Sequence, residues 1–179
     1  MARTRELVVE AAIALLGEEG MRSFTHRRVD RRAGLPEGST SNYFRTREAL
    51  LAGVVDGIVA SELDAAEPLP ADPDAFVDAL AGMVEFITGP RRTHTIARHA
   101  LFLEASHDPE LSAKLSSSRE RYVAVVSDAV ARLGARDPDA AAAAVMSVCE
   151  GLILHRIARG DTSDPRPAIA VAIRGALAD

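Results

Sequence analysis

Between Gly20 and Leu51 the chain concentrates groups that bind rather than react. Arg27, Arg28, Arg31 and Arg32 crowd six consecutive positions, and Ser39, Thr40, Ser41 and Asn42 follow as an unbroken run. Guanidinium groups meet phosphate oxygens with paired N–H donors. Short hydroxyl and amide side chains let a backbone come close to a base edge while still offering donors and acceptors. Groups that could do catalysis are scattered by comparison: His94, His99, His107, His155, Glu85, Glu104, Glu150 and Cys149. His94 and His99 are five apart and His107 is eight further on, whereas metal-binding histidines on a helix converge at spacings of three or four. Cys149 sits among Met146, Val148 and Leu152, a setting that favours a buried, inert thiol. The sequence lacks a glycine-rich phosphate loop and a serine elbow. The expectation is a chain that is not an enzyme, with no metal site and no cofactor.

The elements that must position the polar run follow from local signals. Thr25 caps a short helix from His26 to Ala33, in which Val29 and Ala33 face inward one turn apart. Gly34 supplies a residue able to take positive φ, Leu35 returns to the core, and a second short helix runs from Pro36 or Glu37 to Tyr43. Two short helices joined by a tight glycine turn form a helix-turn-helix, whose second helix enters the major groove of DNA. The arginines of the first helix then lie where backbone phosphates run, unless they are merely solvated. Phe24, Val29, Ala33, Leu35 and Phe44 form the small core.

Phe-Thr at 24–25, Ala-Gly-Leu-Pro-Glu-Gly-Ser at 33–39 and Asn-Tyr-Phe-Arg-Thr-Arg-Glu-Ala-Leu at 42–50 together resemble the DNA-binding signature of the TetR family of transcriptional regulators. The chain departs from that pattern at His26, where an apolar residue is usual, at Asp30 (alanine), at Pro36 (serine or threonine) and at Ser41 (an aromatic residue). Arg47 replaces a frequent lysine. The resemblance implies an all-α fold: a three-helix helix-turn-helix domain over 1–46, then a six-helix ligand-binding and dimerisation domain over 47–179. It implies that Glu37, Ser39, Thr40 and Asn42 lie nearest base edges with Gly38 beside them. Thr25, Arg28, Ser41, Tyr43 and Arg47 become phosphate ligands. Two of these have structural alternatives, Tyr43 as core and Glu37 as a cap of its own helix.

The rest of the chain is helical in pattern. Its 179 residues are 47% apolar and 26% charged, with no tryptophan, a composition suited to helical globular structure. Leu7, Val8, Ala11, Ala12, Leu15 and Leu16 form one stripe closed by Gly20, and Leu50, Leu51, Val54, Val55 and Ile58 another, in a helix that ends before Pro68. Asp72-Pro73, Asp108-Pro109, Asp137-Pro138 and Asp164-Pro165 each offer a capping carboxylate followed by proline. About nine helices result. No signal-peptide core and no run approaching a membrane span is read, so the expected location is cytoplasmic with no membrane partner. Net charge is −5, but residues 1–47 carry nine arginines against six carboxylates and the remainder is strongly acidic. A basic head on an acidic body suits phosphate binding at one end.

The helix over 137–159 is apolar or small nearly all round, so it is either central or covered by a second subunit. A homodimer through the last two helices is the preferred reading, using Val145, Val148, Leu152, Ile153, Ile169 and Ile173. The family resemblance also implies an effector pocket among the middle helices, with Met83, Phe86, Phe102 and Tyr122 as candidate lining and Arg98, His99 and Glu104 as polar anchors. The expected partners are a near-palindromic double-stranded operator and a small-molecule effector that releases a repressor from it. The alternatives are a helical adaptor or an architectural protein without an effector; the acidic body opposes the second.

Overall fold

A computed structural model describes residues 2–64 and 69–178. Those residues form nine α-helices and one short 3-10 turn, with no strand. In chain order the helices are α1 (Ala2–Glu19), α2 (His26–Arg32), α3 (Ser39–Tyr43), α4 (Arg47–Asp64), α5 (Pro73–Thr88), α6 (Arg92–Ala105), α7 (Pro109–Arg132), α8 (Pro138–Arg159) and α9 (Arg166–Leu177). The expected end of α4 before Pro68 falls outside the described residues. The chain packs as two compact units, Met1–Ala66 with Thr93–Ser118, and Glu67–Arg92 with Arg119–Asp179.

In the first unit, α1 is the central strut. Val8, Val9, Ala12, Ile13, Leu15 and Leu16 are buried, whereas Leu7, expected on the same stripe, faces solvent. The buried arc is wider than one stripe because several helices surround α1. Phe24, Val29 and Phe44 close one side, Leu50, Leu51, Val54, Val55 and Ile58 of α4 another, and Ala97 and Leu101 of α6 join the same core. Two glycines permit the close approach. A Cβ on Gly53 would strike the Phe44 ring, and one on Gly17 would overlap the Thr93 carbonyl at the start of α6.

The second unit is built on α5, α8 and α9, with the C-terminal part of α7. Phe76, Leu80, Val84, Ala129, Val130, Val145, Cys149, Ile153, Ile169 and Ile173 form its core. Arg156 fastens this unit from its margin: Nε donates to the Thr88 hydroxyl at 2.9 Å and Nη1 to the Ser163 carbonyl at 2.8 Å. Three Asp-Pro starts behave as expected. Asp72 accepts from the Ala75 amide, Asp108 from Glu110 and Leu111, and Asp137 from Ala140. The fourth differs: Pro165 itself is the cap residue, and Asp164 accepts from the Arg166 amide one position outside.

By length and composition α8 is apolar enough to cross a membrane, contrary to the reading that no run approaches a span. Its alanines and aliphatics run between charged ends, but Glu150 lies mid-helix, and Ala141, Val145, Cys149 and Ile153 are packed into the protein core.

Two outcomes follow from this packing. Gly53→Val and Gly17→Ala should each destabilise the chain by about 1–3 kcal/mol in urea unfolding, because the obstacles are a core ring and a backbone oxygen. Burial, with a smaller contribution from the Glu150 charge, pushes the Cys149 thiol up from 9.0 to about 11. The unfolded chain therefore ionises first as pH rises, so this group removes stability between those two values. The native thiolate fraction near pH 8 should be about a hundredfold below that of the unfolded chain. Alkylation by iodoacetamide should be correspondingly slow until denaturant is added.

Candidate nucleic-acid interface

Within the first unit, Thr25 opens α2 as its sequence suggests: its hydroxyl accepts the Arg28 amide at 3.4 Å. The helix ends at Ala33, and Gly34 takes φ 67°, which lets the Leu35 amide return to the Asp30 carbonyl at 2.9 Å. The second helix of the motif starts later than expected. Pro36 and Glu37 stay outside it, Gly38 caps it at φ 91°, and α3 begins at Ser39. Only glycine takes such an angle without strain.

Four of the candidate DNA residues on and just before α3 line an outward edge. Glu37, Gly38, Ser41 and Asn42 are exposed, and Ser39 is half-buried with its hydroxyl donated to the Pro36 carbonyl at 2.6 Å. Thr40 is placed otherwise. Expected at a base edge, it is fully buried, and its hydroxyl donates to Asp30 at 2.5 Å. The α3 turn points Thr40 back at α2, so its polarity is spent inside the protein. Tyr43 is half-buried against the apolar core. Glu37 does not cap its own helix. Its carboxylate lies 3.4 Å from Arg27, and the amides it might have capped are satisfied by Asp30.

The arginines around this edge are held by carboxylates. Arg28 donates to Glu19, Arg32 to Glu18 at 2.6 Å, and Arg47 to Glu104 at 3.0 Å. The Arg32 guanidinium holds the Glu18 carboxyl below its usual range, and Glu18 in turn raises Arg32. Arg47 stands at the first position of α4, whose N-terminus is capped by the Thr46 hydroxyl accepting from Ala49. Glu104, a candidate pocket anchor, is thus the partner of a candidate phosphate ligand. Two residues outside the expected DNA contacts, Asp30 and His26, bond to α3 through their side chains. The available signal was a polar pair one turn apart on a two-turn helix, with Asp30 directly beside the inward Val29.

The remaining candidates divide between the units. Arg98, His99, Phe102 and Glu104 belong to the first; the Arg98 guanidinium sits 5.4 Å from the Phe102 ring centre and the His99 ring meets Phe102 edge-on. Met83, Phe86 and Tyr122 belong to the second, with Met83 and Phe86 exposed on α5. The proposed dimer face needs correction. Val145, Ile153, Ile169 and Ile173 are enclosed in the core of their own chain, because α8 and α9 turn their β-branched residues toward α5 and toward each other. Val148 and Leu152 are half-buried, whereas Leu154 and Val171 are 48% and 64% exposed. Among the described residues, no three His, Cys, Asp or Glu side chains are grouped to hold a metal.

Comparison with known proteins agrees with this geometry. The family described as bacterial regulatory proteins, tetR family, matches residues 8–54, and the tetracyclin repressor-like C-terminal domain matches residues 71–179. No curated protein matches the chain. Among solved structures, a transcriptional regulator from Rhodococcus sp. Rha1 is 20% identical over 97% of this chain and 95% of its own, with a TM-score of 0.83. The multidrug binding protein EbrR, complexed with ethidium, is 25% identical over 96% and 97%, with a TM-score of 0.76. A TetR-family member from Streptomyces coelicolor is 25% identical over 96% of each chain, also at 0.76. With a helix-turn-helix in its first unit and a matched C-terminal domain spanning more than half its length, the chain belongs to the TetR family of transcriptional regulators.

Proposed function

We propose that this regulator is a repressor that binds a near-palindromic operator as a homodimer and leaves it when a small molecule binds. The observation that carries the DNA half of this reading is the exposed edge Glu37, Gly38, Ser41 and Asn42, set on a helix-turn-helix and flanked by Thr25, Arg28 and Arg47. In this reading Asn42, with Glu37 and Ser39, meets base edges; Thr25, Arg28, Ser41, Tyr43 and Arg47 meet phosphates. A regulatory part over 47–179 answers to the effector, and the DNA-binding part is 1–46.

Two copies would pair through the outward faces of α8 and α9, where Leu154, Val171, Val148 and Leu152 join small residues. A two-fold dimer then presents two α3 helices to two half-sites. The effector acts by favouring a spacing of the heads that does not fit the operator. A preference of about 1–3 kcal/mol weakens DNA binding by about 5- to 150-fold. Met83, Phe86 and Tyr122, all of the second unit, are the proposed effector contacts. The ethidium complex of EbrR makes ethidium the first probe.

Selection of bound duplexes from a random pool, with affinity then followed against salt, tests the reading. A near-palindrome with a steep salt slope is expected; a folded dimer that enriches nothing would count against it. On the selected duplex, Arg47→Ala should weaken every sequence about equally, while Asn42→Ala should relax preference at particular base pairs, by about 1–3 kcal/mol. Glu104→Gln should tighten binding several-fold, since the phosphate no longer displaces a carboxylate from Arg47. Unchanged affinity in both the Arg47 and Glu104 variants would remove Arg47 from the phosphate contacts.

A further inference from the structure

Five residues make little more than one helical turn, too short to be stable alone, so the angle of α3 must be set from outside it. The core under Tyr43 and Phe44 presses α3 inward, but apolar contact has no direction of its own. Direction comes from two side chains on α2. Asp30, only 2% exposed, accepts the Thr40 amide at 2.7 Å and the Thr40 hydroxyl at 2.5 Å on one oxygen, and the Gly38 amide at 2.8 Å on the other. These amides belong to the opening turn of α3, where backbone donors have no helical partner. Gly38 has no side chain to cap with and the Ser39 hydroxyl is turned to Pro36, so a residue of another helix supplies the cap.

The opposite end is held in the same way. His26 Nε2 lies 2.7 Å from the carbonyl oxygen of Phe44, the residue that closes α3. A carbonyl only accepts, so this nitrogen carries the hydrogen and donates. His26 and Asp30 are four apart on α2 and therefore share one face. The main-chain oxygen of Asp30 also takes the Leu35 amide, which ties the turn to the same residue. The two helices are thus pinned at three places: the turn, the start of α3 and the end of α3.

We infer that His26 and Asp30 are positioning residues for DNA recognition, gripping α3 at both ends and so setting the angle at which Asn42 faces the groove. The inference rests on α3 being the helix that reads DNA. Hydrogen bonds to base edges depend steeply on direction, whereas a guanidinium tolerates several placements of a phosphate. Loosening the grip therefore costs discrimination between sequences more than it costs general affinity. Phosphate contacts from α2 and α4 persist, because neither helix depends on the Asp30 carboxylate for its own form.

The test has two arms and uses the full chain. Amide hydrogen exchange, which needs no DNA, should be about tenfold faster at Gly38 and Thr40 in Asp30→Ala, with Leu15 and Leu16 of α1 unchanged. His26→Ala should accelerate Phe44, and His26→Gln, which keeps a donor, should restore it. Where Asp30→Ala fails to fold, Asp30→Asn replaces it, keeping one acceptor oxygen and loosening Gly38 alone. In the second arm, affinity is compared between the duplex selected by the wild-type chain, the same duplex with one base pair changed, and a random-sequence duplex. Asp30→Ala and His26→Ala should reduce discrimination about tenfold while random-duplex affinity moves by less than about twofold. Parallel loss on all duplexes would show a merely structural role, and unchanged exchange would show that no grip exists; either overturns the inference. A wild-type chain that selects no duplex would overturn the DNA reading and the specificity claim with it, while the exchange arm would still decide whether α3 is gripped.

Discussion

A short helix exposed to solvent has no means of holding itself, and the first unit is organised around that constraint. Nucleating a turn fixes several backbone angles in return for one hydrogen bond, and five residues never recover the difference alone. The protein answers with an apolar floor and polar pins. Val29 and Phe44 bury themselves beneath the motif on α1 and α4, while Asp30 satisfies the amides that α3 cannot satisfy internally. A buried carboxylate is costly unless its oxygens are occupied, and three donors here occupy both.

The electrostatics of the head are more restrained than its arginine content suggests. Arg28, Arg32 and Arg47 each meet a glutamate of the same unit, and Arg27 meets Glu37. Exposed pairs of this kind add little stability. In the proposed DNA complex, a phosphate arriving at Arg28 or Arg47 would exchange with a carboxylate instead of meeting a free cation. The pair between Arg47 and Glu104 also joins the first residue of α4 to the end of α6, so the position of α6 bears on the availability of that guanidinium.

The second unit solves a different problem, an alanine-rich helix without a broad polar face. One side of α8 packs on α5 and α9, and Arg156 with Thr88 and Ser163 closes the margin of the unit. The side left outward carries Ala140, Ala143, Ala144, Ser147 and Gly151 with Leu154 and His155, while Val171 projects from α9. In the proposed homodimer this is the surface that the second copy covers.

By itself the sequence determined the helical class, the caps at Thr25, Asp72, Asp108 and Asp137, the positive-φ turn at Gly34, and the motif that joins them. These are local matters, decided within a few residues by backbone geometry and hydrogen-bond supply. It also carried the family signature. Where side chains end up around a helix was another matter. Thr40 reads as a base-edge group until α2 and α3 fold together and pair it with Asp30 inside; Leu7 reads as core until the surrounding helices choose a different arc of α1. Val145, Ile153, Ile169 and Ile173 have the composition of an interface, and only the packing of α8 and α9 on α5 puts them in the interior. Spacing along the chain says which residues share a face, but which face is covered depends on helices far away in sequence, and that only the tertiary structure decided.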